Sequence, residues 1–228
     1  QLALGFIMYA GDFEDKIITS VNNYAGGFWR GPQRNGAFHA PAAGMSREEA
    51  MVEVEDGIEA SEIYTYVPAV GSYHCPGDLR TKRLKPGSGW AWDSYSKANG
   101  MNGLNWQAAQ PPYTKMSSVA APSEAMIFIE ESDPRGYNNG TWVINVNPSP
   151  GWVDPFAIFH GHVSTIGMAD GHAELHAWGD ENTIQAATQA AQGIVDMSTT
   201  FYWKGGNASN PDFRWVYQRY KHVKWAPL

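Results

Sequence analysis

Four histidines lie within a short stretch of the chain, and imidazole nitrogens are common ligands of zinc and other transition metals. These histidines and the acidic residues among them are His160, His162, Asp170, His172, Glu174 and His176. On a β-strand, His172 and His176 would lie about 13 Å apart, because a strand rises about 3.3 Å per residue. That separation is too large for one ion, so solvated or hydrogen-bonded histidines on a sheet face are favoured. A site that uses His160 with Asp170 stays open.

Three acidic residues, Glu130, Glu131 and Asp133, follow the short apolar run Ala125–Ile129. Burial can raise the pKa of one carboxyl group while its neighbour stays ionised, as hydrolases with paired carboxylates require. Neighbouring strand residues point to opposite faces, so Glu130 and Glu131 line one cleft only if a bulge intervenes. Carboxylates that cap loops or hold a cation are therefore favoured. Polysaccharide hydrolysis by Glu130, Asp133 or a histidine is kept as an alternative function.

Aromatic residues are abundant, with 10 Trp, 11 Tyr and 9 Phe. An aromatic ring offers apolar area at a small entropy cost, so exposed rings can stack on the faces of sugars. Trp90 and Trp92 are the best candidates, because alternation along a strand would point both to the same side. Most tryptophans in a loop-rich domain instead fill gaps beneath the loops. Carbohydrate binding through Trp90 and Trp92 is a second alternative function.

Composition and motifs exclude several classes of protein. The net charge is −7 and basic residues form no cluster, so nucleic acid is not expected as a partner. No run approaches the ~20 apolar residues of a membrane-spanning helix. The single cysteine, Cys75, forms no internal disulfide and is interpreted as a small buried hydrophobic residue. Nucleophile elbows, phosphate loops, His-Glu-x-x-His pairs and dinucleotide fingerprints are absent, and no cofactor is predicted.

A chain of 228 residues with 43% hydrophobic content predicts one domain, residues 1–228, of the α+β class with long ordered loops. The apolar stretch from Gln1 to about Tyr9 predicts a helix packed on a sheet and resembles the end of a longer helix. The uniformly apolar run Ala125–Ile129 predicts a central strand covered on both faces. Trp142–Val146 is predicted to be its partner strand.

Two further helices are predicted from their first residues. Ser46 and Glu49 have the spacing of a capping box, which predicts a helix over about 47–56. Asp180 or Asn182 would cap another helix, whose apolar residues recur at helical spacing. Both predictions rest on side chains that accept hydrogen bonds from the free backbone N–H groups of a first helical turn.

The clearest local pattern is Asp170–Gly171 between two segments of alternating polarity, which predicts a tight β-hairpin. Gly171 would allow a positive φ in the turn. A two-residue turn places Met168 opposite Ala173 and Ile166 opposite Leu175, so that these residues share one apolar face.

Several segments are also notable as an ordered set. His160 is followed, after nine residues, by Asp170–Gly171, and a Cys-Pro pair and a Pro-Ser pair precede them along the chain. The segments are Leu4–Asp15, His74–Asp78, Ala121–Glu130 and His160–Gly171. Together they resemble the bacterial type II secretion pseudopilin-like proteins, which have a prepilin-type N-terminus and a C-terminal His-x9-Asp-Gly domain.

The resemblance implies a pilin-like N-terminal helix, truncated here, that packs on an antiparallel sheet. It implies a preceding apolar segment that anchors the full-length protein in the inner membrane, and an extracytoplasmic head without enzymatic activity. Other pilin-like subunits would bind through the missing helix, and the loops would face secreted proteins or envelope glycans. His160, Asp170 and Gly171 would form a structural motif in which His160 ties the entering loop to the turn. The additional histidines near His160, where the family has small residues, suggest a head adapted to a ligand.

Overall fold

The computed structural model of the protein describes residues 1–20, 27–103, 106–133, 141–194 and 203–228. The helices are α1 (Leu2–Asp12), α2 (Arg47–Glu59), α3 (Arg80–Arg83), α4 (Glu181–Gln192) and α5 (Pro211–Arg219). The strands are β1 (Gln33–Arg34), β2 (Ala37–Phe38), β3 (Tyr95–Ala98), β4 (Met126–Glu130), β5 (Thr141–Trp142), β6 (Ile144–Asn145), β7 (Gly151–Trp152), β8 (Val163–Met168) and β9 (Ala173–Ala177). Among these helices, none combines the length and the apolar character needed to cross a bilayer.

The largest sheet has five strands in the order β5, β3, β4, β8, β9, and all neighbours are antiparallel except β3 and β5. All five residues of β4 are buried, which confirms a central strand covered on both faces. The predicted partner Trp142–Val146 was wrong, because β3 and β8 already occupy both sides of β4. That segment instead forms β5, which pairs with β3, and β6, which pairs with β7. The α+β class with a mainly antiparallel sheet is confirmed.

Two hydrophobic clusters cover the two faces of this sheet. On one face α1 packs against β4 and β8, where the rings of Phe6 and Phe128 meet edge to face at 6.2 Å between centroids. On the other face α4 and α5 pack over Ile129, Ile166 and Met168. A helical layer on each side of a sheet buries both of its apolar faces around one core.

The hairpin forms as predicted, but its register differs by one residue. Ile166 pairs with Glu174 and Thr165 pairs with Leu175, because the turn has three residues between the paired Met168 and His172, instead of two residues between Ala169 and His172. A one-residue shift reverses the faces of a strand. Leu175 is therefore 73% exposed instead of buried, while Ile166 and Met168 remain in the core.

The two capped helices begin where the sequence predicts. The Ser46 hydroxyl accepts from the N–H of Glu49, whose carboxylate accepts from the N–H of Ser46, so both halves of the capping box are present. At α4 the cap is Asp180, which accepts from the N–H and hydroxyl of Thr183.

Candidate functional site

Three side chains from separate parts of the chain meet at the end of the central strand β4. Cys75 lies in the loop before α3, Glu130 ends β4, and His160 lies in the loop before β8. The Cys75 Sγ atom is 2.9 Å from His160 Nε2, and the same nitrogen is 3.7 Å from Glu130 Oε1. One donor atom from each residue lies within 4.8 Å of the others. We refer to these three residues as the Cys-Glu-His cluster.

The loop that carries Cys75 is held by hydrogen bonds that involve Ser94, the residue immediately before β3. The backbone N–H of Cys75 donates to the Ser94 hydroxyl at 3.0 Å, and that hydroxyl donates to Asp78 Oδ2 at 2.8 Å. The N–H of Asp78 closes a turn on the Cys75 carbonyl at 2.9 Å. These contacts hold the backbone of Cys75 in place.

A buried ion pair supports the same loop. Arg80 is buried and donates to Asp78 through two nitrogens, with 2.7 Å between Nη2 and Oδ2. The Nη2 atom also donates to the backbone carbonyls of Asp93 and Glu131. The Asp78 charge is thus balanced by Arg80, and the hydrogen bonds of the Asp78 carboxylate go to Arg80 and Ser94, outside the Cys-Glu-His cluster.

Gly77 allows the imidazole of His160 to approach this loop. A Cβ atom at residue 77 would lie 2.7 Å from His160 Cε1 and 2.9 Å from the carbonyl oxygen of Phe159. Such distances are shorter than normal van der Waals contact. A larger residue at position 77 would therefore displace His160 from Cys75.

The electrostatics of the cluster disfavour charge on its two acidic groups. Glu130 is buried, and neither carboxylate oxygen has a hydrogen-bond partner among the described residues. Burial raises the pKa of Glu130 to about 7, although Thr165 and Cys75 lie close enough to oppose part of that rise. Burial, followed by the proximity of Glu130, raises the pKa of the Cys75 thiol to about 11. Burial, followed by the proximity of Cys75 and Glu130, raises the pKa of Tyr95.

This geometry differs from that of a cysteine nucleophile activated by a histidine. In such sites a third group orients the imidazole through the ring nitrogen that does not face the nucleophile. Here Cys75 and Glu130 both approach Nε2 of His160. A raised thiol pKa also disfavours the reactive thiolate. Convergence of three donor atoms on one point is instead typical of a ligand set.

The remaining predicted motif residues lie elsewhere. Asp170 accepts from the backbone N–H of His172 at 3.2 Å and contacts its imidazole at 2.5 Å. Gly171 has the expected positive φ, +94°. His160 and Asp170 lie beyond opposite ends of β8, each with other partners, so the structure brings neither of them to the other.

The other histidines of the sequence cluster are also separated. His162 and His172 are exposed. His176 stacks on Trp215 at 3.7 Å between ring centroids, and its Nε2 is 3.7 Å from Asp212 Oδ1. Glu131 and Asp133 are buried beyond the end of β4.

The two predicted glycan-stacking residues have different environments. Trp90 is only 2% exposed, whereas Trp92 is half-buried. The Trp92 ring stacks on His74 at 4.1 Å between centroids, and its N–H donates to the carbonyl of Val70. Both tryptophans border a shallow depression next to α2. Carbohydrate binding there stays a prediction.

Sequence reasoning considered Cys75, Glu130 and His160 separately and did not foresee that they meet. A usable signal was available, because each belongs to a different segment of the pseudopilin-like pattern. Comparisons with protein families, with curated proteins and with solved structures found no match.

Proposed function

We propose that the chain is the non-enzymatic head of a pseudopilin-like protein, which assembles with other pilin-like subunits in an extracytoplasmic, membrane-anchored complex. The observation that carries the proposal is the arrangement of α1. This N-terminal helix packs lengthwise on a mainly antiparallel sheet through residues such as Leu2 and Phe6. Its opposite side leaves Leu4 57% exposed and Met8 54% exposed.

Leu4 and Met8 are one helical turn apart and share one face of α1. Exposed apolar residues that form a patch, rather than lying singly, are typical of surfaces that bind another protein. Leu175 is also exposed, and it lies on the face of the sheet that α1 covers, because it pairs with Thr165. The patch therefore supports contact between α1 and a neighbouring subunit.

The contact between the turn at Gly171 and helix α1 also supports the proposal. A Cβ atom at position 171 would lie 2.7 Å from Ile7 and 3.3 Å from Leu4. The turn of the His-x9-Asp-Gly segment is thus packed against the N-terminal helix. In this arrangement the hairpin positions the helix through which subunits would assemble.

Cysteine cross-linking tests this function. Cys75 is buried and is the only native cysteine, so Leu4→Cys and Met8→Cys each introduce one accessible thiol. Val52→Cys on α2 is a matched control, because Val52 is 56% exposed. Each variant would be expressed as the full gene product in a bacterium with a type II secretion system and treated with a bismaleimide.

We expect cross-linked species from Leu4→Cys and Met8→Cys in the membrane fraction, and monomer only from Val52→Cys. Recovery of all variants as soluble monomers, or equal cross-linking through α1 and α2, would overturn the proposal.

The two alternative functions lack a comparable observation. Trp90 is covered by its neighbours, and Glu130 lies next to Cys75 and His160, while the nearby Asp78 carboxylate is held in an ion pair with Arg80. Neither carbohydrate binding nor polysaccharide hydrolysis is therefore proposed.

A further inference from the structure

The Cys-Glu-His cluster contains donors that suit a transition metal. A thiolate, an imidazole and a carboxylate are the three side-chain groups that bind Zn²⁺ in proteins. We infer that Cys75, Glu130 and His160 bind one divalent transition-metal ion, with Zn²⁺ as the preferred member of this class. The inference concerns a ligand site and is independent of subunit assembly.

The distances fit tetrahedral coordination after a small adjustment. Metal–ligand bonds of about 2.0 to 2.3 Å at tetrahedral angles place neighbouring ligand atoms roughly 3.3 to 3.6 Å apart. The Sγ–Nε2 distance is 2.9 Å and the Nε2–Oε1 distance is 3.7 Å. The two measured distances lie on either side of that range, so a rotation of the His160 ring brings both close to it.

An independent observation points to a cation in this position. Neither oxygen of the buried Glu130 carboxylate forms a hydrogen bond of normal geometry among the described residues, and the Thr165 and Cys75 groups that approach it offset only part of the effect of burial on its pKa. A buried carboxylate without a partner is costly, and proteins normally balance it with hydrogen bonds, a cation or a metal. A metal ion bound by Nε2 of His160 and by Cys75 would supply the missing partner for Glu130.

Charge balance favours a divalent ion. Deprotonated Cys75 and Glu130 carry two negative charges, and neutral His160 carries none. A divalent cation therefore makes the buried site neutral, whereas two buried anions without it would repel each other. The nearby Asp78 does not disturb this balance because Arg80 pairs with it.

The site is open on one side. The side chain of His160 is 43% exposed, while Glu130 and Cys75 are buried. Three protein ligands with access to solvent leave a fourth position for water or for another ligand, unlike closed structural zinc sites with four protein ligands. The ion would thus exchange with solution and accept an external donor group.

Metal titration of the tag-free chain tests the inference. The purified protein is treated with a chelator, dialysed, and titrated with Co²⁺, whose thiolate charge-transfer absorption reports coordination by cysteine. Zn²⁺ affinity is then measured by competition with a chromophoric chelator. His160→Gln removes one ligand at an exposed position, and His162→Gln is its matched control because His162 is also exposed.

We expect one equivalent of Co²⁺ with a thiolate band in the wild-type protein and in His162→Gln. His160→Gln should lose at least about a hundredfold in Zn²⁺ affinity, more than is typical when only a residue that supports a metal ligand is changed. Glu130→Gln should lose affinity as well while its circular dichroism spectrum stays that of the wild type.

Three results would overturn the inference: no Co²⁺–thiolate band in the wild-type protein, wild-type affinity in His160→Gln, or an equal loss in His162→Gln. None of these results would affect the α1 cross-linking test, so failure of the metal site and failure of the assembly proposal can be distinguished.

Discussion

Two histidines at the open end of the β8–β9 hairpin illustrate how different two similar contacts can be. His160 and His176 each have Nε2 at 3.7 Å from a buried carboxylate oxygen, the first in Glu130 and the second in Asp212. They serve opposite faces of the sheet. His160 lies at the α1 side, whereas His176 lies beneath Trp215 of α5.

The two carboxylates differ in how their oxygens are used. Asp212 accepts from the backbone N–H groups of Gly179 at 3.0 Å and Asp180 at 2.8 Å. Glu130 accepts no hydrogen bond of normal geometry among the described residues, although Thr165 and Cys75 approach its carboxylate. At the same histidine–carboxylate distance, Asp212 therefore holds the backbone in place, whereas the Glu130 carboxylate is left able to bind a ligand. The two sites differ in how many lone pairs of the carboxylate oxygens are still available to a ligand.

The largest expected effect is on the turn at the closed end of the hairpin, opposite both histidines. Gly171→Val should lower the free energy of unfolding by about 3 kcal/mol, because a β-branched residue is strained at φ +94° and its Cβ would meet Ile7. Urea unfolding followed by tryptophan fluorescence measures this loss.

Gly179→Val is the control for this change, because Gly179 has no positive φ and a Cβ atom added there would have no neighbouring atom within 4 Å. Zn²⁺ affinity should be unchanged in Gly171→Val, since His160 lies at the other end of β8 from the turn. Wild-type stability in Gly171→Val would contradict the role of this glycine.

The second prediction compares the two carboxylates directly by replacing each with its amide. Asp212→Asn should cost about 2 kcal/mol, because the amide accepts less well from two backbone N–H groups and loses the charge that strengthens those bonds. Glu130→Gln should change stability by less than about 1 kcal/mol in the presence of a chelator, because no hydrogen bond of normal geometry is lost.

Both variants would be measured by chemical denaturation in the same buffer. Equal losses of unfolding free energy in the two variants would contradict the difference in hydrogen bonding between Asp212 and Glu130.

The smallest expected effect concerns pH. Burial lowers the pKa of His176 below its ordinary value near 6.5, although Asp212 opposes the shift. The folded state then binds fewer protons than the unfolded state below the unfolded pKa, so stability falls as the pH is lowered through about 6.5. His176→Phe should keep the stacking on Trp215 and make this fall shallower between about pH 7.5 and about pH 5.5.

His162→Gln is the matched control, since His162 is exposed and its replacement leaves the buried imidazole of His176 in place. Part of the slope should persist in His176→Phe, because burial also lowers the pKa of His222, to about 4. An unchanged slope in His176→Phe would contradict the buried, neutral state of this histidine.

Local sequence patterns predicted the elements whose ends are defined by side chains. The caps at Ser46 and Asp180 and the turn at Gly171 were all confirmed. The predicted hairpin register was wrong, because the turn contains three residues. The Met168 N–H donates to the His172 carbonyl and so closes the turn around residues 169–171. Turn length in a hairpin is decided by backbone geometry that a dipeptide does not specify.

Other elements were missed for different reasons. Strand β3 contains Ser96 and the buried Lys97, so its composition is not typical of an interior strand. Helix α5 did have a signal, since Asn210 caps it and Pro211 occupies its first position. The aromatic composition of the C-terminal segment obscured that signal.

The Cys-Glu-His cluster could not be predicted from spacing, because its members lie in three distant segments and meet only through the sheet. Cys75 was interpreted as a buried hydrophobic residue, and burial was indeed found. Its contact with His160 depends on long-range packing that no local pattern encodes. The sequence could have suggested the cluster only through the shared membership of its residues in the pseudopilin-like segments.

The close fit of Gly77 against His160 has a consequence for evolution. Any side chain at position 77 would push the imidazole of His160 away from Cys75. Homologues that keep the Cys-Glu-His cluster therefore require glycine at this position, whereas homologues that have lost the cluster do not. In descendants of a common ancestor, substitutions at positions 75, 77, 130 and 160 should therefore be correlated, with glycine retained wherever the cysteine and histidine persist together.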